Sequence, residues 1–193
     1  VSVTIGNLLC STENITIPLQ KGGFKKMAEE ILEKIPLEKR WEMAAQSFSE
    51  GCMGYIQVLL GIIGKEKLAE IESKMWSEGM KMSFLRFKDE LKLPVEDAVD
   101  AANMMGVFAF LMLGPDCTME RVEESRNRVV DRYINCPWWE TAKQFGIADQ
   151  YECSCGEWSK EGLKAINPKL AVTVTKSQPR GDPYCECVYE LKE

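Results

Sequence analysis

Five of the chain's eight cysteines lie between Cys136 and Cys187, and the sequence contains no histidine. They fall into three groups: Cys136 in Cys136-Pro137-Trp138-Trp139, the pair Cys153-Ser154-Cys155, and the pair Cys185-Glu186-Cys187 that follows Gly181-Asp182-Pro183-Tyr184. Sulfur without imidazole restricts the chemistry to metal ligation by thiolate, thiol nucleophilicity or disulfide bonding. Each makes its own demand on spacing and compartment.

Metal ligation needs sulfurs that converge. Cys185 and Cys187 stand two apart in a predicted strand, so both project from one face with Cα atoms about 6.5 Å apart, whereas sulfurs on one tetrahedral zinc lie about 3.8 Å apart. With Cys153 and Cys155 just ahead of a predicted helix, Cys153, Cys155, Cys185 and Cys187 are the candidate ligands of a four-thiolate zinc or iron–sulfur site. One intervening residue rarely makes the tight turn that wraps a metal, so Cys-x-Cys signals less than Cys-x-x-Cys. The competing reading is buried or free thiols.

A nucleophile needs an activated thiolate. Cys136 ends a predicted strand, and Pro137 stops the strand from continuing, which places the thiol at a turn; Cys185 is a second candidate. Without histidine, activation must come from a helix N-terminus, a cation such as Arg180, or a metal. Asp182, in Arg180-Gly181-Asp182-Pro183, could hold the turn, or could orient water or an amidine nitrogen. Trp139 and Trp158, with Trp138, are candidates to line a pocket for a flat ligand, with core filling as the competing role, and Arg180 is a candidate ligand contact. Glu140 and Glu157 are further acid/base candidates that also read as solvated helix-start carboxylates. Burial is the expectation for Cys10, Cys52 and Cys117.

Composition narrows the partners. A net charge of −6 and a pI near 5.0 disfavour nucleic acid and anionic lipid, leaving a small-molecule ligand and a homo-oligomer as the expected partners. No basic segment followed by an apolar one precedes the fold, which reads as a cytoplasmic protein with reduced thiols; the sequon at Asn14 then carries no meaning. The longest apolar stretch, Met104 to Leu113, is about half a bilayer span and reads as a buried core helix. No P-loop, dinucleotide fingerprint, His-Glu-x-x-His or Gly-x-Ser-x-Gly motif occurs.

The elements that must position these residues follow from periodicity. Val3 to Cys10 and Ile15 to Leu19 are short β-like runs of an N-terminal arm over residues 1–20. Phe24, Met27, Ile31 and Ile35 mark an amphipathic helix ending at Pro36. A second helix, Glu38 to Ile63, is apolar on most sides after Phe48 and is expected to be central. After Gly64 a third runs to Lys92 with Leu68, Ile71, Met75, Met82 and Leu85 on one stripe, packed antiparallel to the second. Asp97 to Leu113 is a fourth. The period then switches: Thr118 to Glu124 and Arg128 to Asn135 form a hairpin across Ser125-Arg126-Asn127, and Trp139 to Phe145 and Glu157 to Ile166 are short helices. Lys169 to Lys176 and Tyr184 to Leu191 form a second hairpin. The chain reads as one α+β domain over residues 1–193, its helical part (21–113) packed against a cysteine-rich part (114–193) with an antiparallel sheet of hairpins.

The order of a helical half, a β-run into Cys136-Pro137, a cysteine at 153 or 155, Asn167-Pro168 and a closing Gly181-Asp182-x-x-Cys185 resembles the L-2-amino-thiazoline-4-carboxylic acid hydrolase family. The resemblance covers roughly residues 40–190 and implies a hydrolase that opens a small cyclic amidine at a thiazoline-type C–N bond. Cys136, one of Cys153 and Cys155, Asp182 and Cys185 match the family's polar positions, and Cys187 with the other member of the 153/155 pair are additions. The additions suggest the alternative of a metal- or iron–sulfur-binding sensor or accessory protein without turnover. A more distant resemblance is to the 4-vinyl reductase type of small-molecule-binding domain, in which a cysteine is expected near Ser177.

Overall fold

The computed structural model describes residues 23–192. The expected arm, with Cys10 and Asn14, lies outside the described residues. The chain divides into two units, residues 1–36 and 37–193. In the first, α1 (Gly23–Leu32) closes with turns in which Lys34 and Ile35 donate to the carbonyls of Ile31 and Leu32, ahead of Pro36.

The second unit begins with three long helices, α2 (Leu37–Ile63), α3 (Lys65–Leu91) and α4 (Ala98–Leu113). The hinge between α2 and α3 is Gly64, whose φ of 77° lies in the left-handed region open to glycine. Asp97 caps α4 by accepting from the backbone N–H groups of Val99 at 3.0 Å and Asp100 at 3.1 Å. α4 meets the expectation of a buried helix on one side only: Ala98, Ala101, Ala102, Met104, Met105 and Phe108 are buried, while Val107, Phe110 and Leu111 are exposed.

Two helical expectations need correction. α2 is not central: it buries Ala45, Ser49, Met53 and Ile56, while Tyr55, Val58 and Ile62 on its other face are exposed. In α3 the stripe Ile71, Met75, Met82 and Leu85 faces outward, and Leu68, Glu72, Trp76, Met80 and Phe84, at four-residue intervals, form the inner stripe. Both stripes satisfy helical periodicity, and the aromatic one wins the core because it removes more apolar area from water.

Four strands follow as an antiparallel sheet: β1 (Thr118–Glu124), β2 (Arg128–Asn135), β3 (Leu170–Lys176) and β4 (Cys185–Leu191). Both expected hairpins form. Ser125 closes the first turn, its Oγ accepting from the Arg128 N–H at 3.0 Å. The spatial order β1-β2-β4-β3 joins the hairpins by placing β4 against β2, with Cys185 opposite Tyr133 and Cys187 opposite Asp131. Between the hairpins lie α5 (Pro137–Gln144) and α6 (Cys155–Ile166).

α4 packs on β2 and β4, α5 on α2, and α6 on α3 and β3. The α3–α6 crossing depends on Gly162, because a Cβ there would collide with the Phe84 ring. Phe84, Phe108 and Trp158 meet edge-on or tilted at this crossing, the first two with ring centres 4.9 Å apart. This fixes α6, and hence its first residue Cys155, against the helical layer. The architecture is α+β. Among the described residues no helix is long and apolar enough to cross a membrane.

Candidate active site

Where the α3, α4, α5 and α6 helices meet the sheet, they leave a cavity of about 130 Å³. Cys136, Cys153, Cys155, Cys185 and Cys187 all line it, so the fold brings the clustered cysteines to one place. Trp138, Trp139 and Trp158 line it too, and the same side chains pack against the core clusters. Among the described residues no Lys, Arg, Asp or Glu side chain lines the cavity.

The five thiols differ sharply. Cys136 stands at the start of α5 without a side-chain cap hydrogen bond, and burial pushes its thiol up to about 12 against the lowering influence of the Trp139 N–H. Burial also raises Cys185, whose Sγ accepts from the Gln178 N–H at 3.4 Å, and holds Cys187 well above the ordinary range. Cys153 and Cys155 act as a pair: the Cys153 thiol donates to the Cys155 sulfur, which raises Cys153 and lowers Cys155. The N–H groups of Cys155 and Gly156 and the charge of Arg180 lower Cys155 further, against the opposing effect of burial. Free N–H groups at the start of α6 supply this stabilisation because the first turn of a helix has donors without intrahelical partners.

The other predicted site residues play different parts. Asp182 lies outside the cavity wall and locks the turn into β4, its Oδ2 accepting from the Ser177 N–H at 2.7 Å. Arg180 is exposed; one guanidinium N–H donates to the Val174 carbonyl at 3.4 Å, and its charge reaches Cys155 and Cys185 without its side chain lining the cavity. Glu140 pairs with Lys143 on the surface, and Glu157 is exposed.

The four-thiolate expectation is not met. The seven cysteines among the described residues are free, and no group of three or more Cys, Asp or Glu side chains among those residues is arranged to hold a metal ion. The one-residue spacing spreads the β4 sulfurs along the strand, and at α6 it turns Cys153 and Cys155 toward each other.

Sequence periodicity also hides one residue. Glu72 is 3% exposed on the inner stripe of α3, with Oε2 buried and unpartnered among the described residues. Burial pushes it up to about 7, opposed by a hydrogen bond that Trp76 Nε1 donates to Oε1 at 3.4 Å. Trp76 and Tyr151 are both on the cavity wall, the charges of Glu72, Cys153 and Cys155 all act on Tyr151, and Tyr151 accepts from Trp138 Nε1 at 3.1 Å. The signal was present: Glu72 completes the four-residue series that runs from Leu68 to Phe84.

Comparison with known proteins places this geometry. Residues 24–189 match the family model described as L-2-amino-thiazoline-4-carboxylic acid hydrolase. No curated protein matches the chain. Among solved structures it is similar to a trafficking protein particle complex subunit 3 from Naegleria fowleri covalently bound to palmitic acid, with a TM-score of 0.53, 14% identity, and coverage of 80% of this chain and 96% of that one. A second match is the phenol-responsive sensory domain of the transcription activator PoxR with phenol, with a TM-score of 0.43, 14% identity and coverage of 74% of each chain. The first of these likenesses is one of fold alone.

Proposed function

The chain belongs to the L-2-amino-thiazoline-4-carboxylic acid hydrolase family, and from that premise we propose that it is a thiol-dependent hydrolase that opens a small cyclic amidine at a thiazoline-type C–N bond. The observation that carries this reading is Cys155, a thiol on the wall of the cavity whose anionic form is favoured by a neighbouring thiol, two backbone N–H groups and the charge of Arg180. These are the means by which a cysteine becomes a nucleophile without histidine.

In this reaction the Cys155 thiolate adds to the carbon of the ring C=N bond, and the ring nitrogen takes the proton of the Cys153 thiol. Water then replaces the enzyme sulfur on that carbon, giving its proton to the Cys153 thiolate while Cys155 leaves as thiolate. The resulting carbinolamine collapses to a carbonyl and a free amine, which opens the ring. The pair thus supplies nucleophile, acid and base from two adjacent sulfurs. Asp182 serves by holding the turn that sets Cys185 and Arg180 in place, and Trp139 and Trp158 flank the ring.

The alternative of a metal- or iron–sulfur-bearing sensor without turnover has no group of three ligating side chains to rest on among the described residues. The test is a thiazoline ring-opening assay with single variants. Cys155→Ser is expected to lower kcat by about 10⁴-fold, while Cys187→Ser stays within about tenfold of the parent. Intact ring opening by Cys155→Ser would remove the assignment.

A further inference from the structure

The family is described by a carboxylic acid, so on the hydrolase reading, on which this inference rests, the substrate brings an anion to the site as well as a ring C=N bond. The cavity of about 130 Å³ is close to the apolar cavities of about 150 Å³ that hold one benzene ring. A five-membered ring fills it. That leaves a carboxylate on the ring at the rim, where it keeps part of its water and needs a cation in place of the rest.

Part of the rim is a single 3₁₀ turn, Gln178–Arg180, that leads into β4. Its backbone is fixed: the N–H groups of Arg180 and Asp182 both donate to the Ser177 carbonyl, at 2.9 and 3.2 Å, and Gly181 closes the turn at a φ of 91°. Pro179 lines the cavity, and Arg180, next in the chain, is exposed. One guanidinium N–H reaches the carbonyl of Val174, a second wall residue, at the long distance of 3.4 Å. Asp182, the carboxylate nearest in sequence, is taken up by the Ser177 N–H at 2.7 Å. Arg180 thus has a rigid base where the wall meets solvent and a loosely held fork, and its charge acts on both Cys155 and Cys185. A guanidinium fork matches a carboxylate with two parallel hydrogen bonds. We propose that Arg180 is the specificity-determining residue of the site: its guanidinium pairs with the ring carboxylate at the rim while the ring lies inside, against the Cys155 sulfur.

Binding is measured apart from turnover by titrating full-length Cys155→Ser protein, with and without Arg180→Gln, with 2-amino-thiazoline-4-carboxylate and with 2-amino-thiazoline, and reading the quenching of tryptophan fluorescence. Arg180→Gln is expected to weaken binding of the carboxylated ring by about 10- to 100-fold, the range of a charged hydrogen bond, and to leave the uncarboxylated ring within about threefold. Arg180→Lys, which keeps the charge and loses the fork, is expected to fall between, and it carries the same comparison if the Gln variant does not fold. Equal weakening of both rings would mean that Arg180 acts on the cavity as a whole and overturns the inference. Undiminished binding of the carboxylated ring, or its failure to bind at all, does so too. Parent protein that binds the carboxylated ring through Arg180 and never opens it sinks the hydrolase reading and leaves this inference standing. Ring opening by Arg180→Gln with an unchanged KM for the carboxylated ring does the reverse.

Discussion

Cys153 and Cys155 open helix α6, whereas Cys185 and Cys187 sit within strand β4, and the two pairs face one cavity with the same spacing. In the helix pair one thiol donates to the other, and the acceptor also meets unpaired backbone N–H groups, so Cys155 is lowered. In the strand pair the backbone is occupied by pairing with β2 and β3, few donors remain for sulfur, and burial raises both thiols. The Cys-x-Cys motif therefore specifies no chemistry by itself. The backbone element that carries it decides whether a thiolate is stabilised.

The buried carboxyls beside the two pairs show the same contrast. Asp131, opposite Cys187, is 1% exposed and held by Arg121 through two hydrogen bonds of 2.8 and 3.1 Å. Glu72, on the helix-pair side, has no cation partner among the described residues and one orphaned oxygen. Removing the partner on the strand side has the largest expected effect: Arg121→Ala leaves Asp131 uncompensated and lowers stability by about 3–5 kcal/mol, read by denaturant unfolding. A loss below about 1 kcal/mol would mean that the strand-side carboxyl is not a buried ion pair.

Glu72 responds in the opposite sense. Its folded pKa of about 7 lies above the ordinary value of 4.5, so between those values the folded state holds more protons than the unfolded state and stability falls as pH rises. The cost is absent well below the unfolded value and complete above the folded one. From about pH 5.5 to about pH 8, Glu72→Gln is expected to gain about 2 kcal/mol of stability relative to the parent. A difference that does not change with pH would place Glu72 in contact with water or a cation.

A last effect bears directly on the helix pair. Cys153→Ala removes the thiol that donates to Cys155 and serves as acid and base, so the Cys155 pKa rises, the acidic limb of the kcat/KM profile moves toward higher pH, and activity at neutral pH falls by about 10²-fold or more. An unmoved limb would show that the neighbouring thiol does not tune Cys155.

Much of this contrast was hidden in the sequence for physical reasons. The boundaries of β1 and β2 were legible, because β-rich runs flank Ser125-Arg126-Asn127, and so was α4, whose Asp97 cap precedes an apolar run ended by Gly114-Pro115. The pairing of β4 with β2 was not, since it joins residues more than fifty apart and no local pattern records it. That pairing carries Cys185 and Cys187 to the cavity. The inner stripe of α3 was obscured by an outer stripe of equal periodicity, and Glu72 was hidden with it. Cys136 drew attention through its turn and its following proline, yet a place at a turn does not acidify a thiol, and burial holds it near 12. Cys155 was grouped with the metal candidates because spacing alone does not show which cysteine begins a helix.

The central claim is that Cys155 is the most acidic of the five cavity thiols, and competitive alkylation of the native protein tests it most directly. Brief treatment with limiting iodoacetamide over a pH series, followed by peptide mass spectrometry, ranks the thiols by reactivity. Cys155 is expected to be modified first and at a pH below that of an ordinary thiol of about 8.5, with Cys136, Cys185 and Cys187 reacting only after unfolding. Earlier modification of Cys136 or Cys185 than of Cys155 would contradict the account.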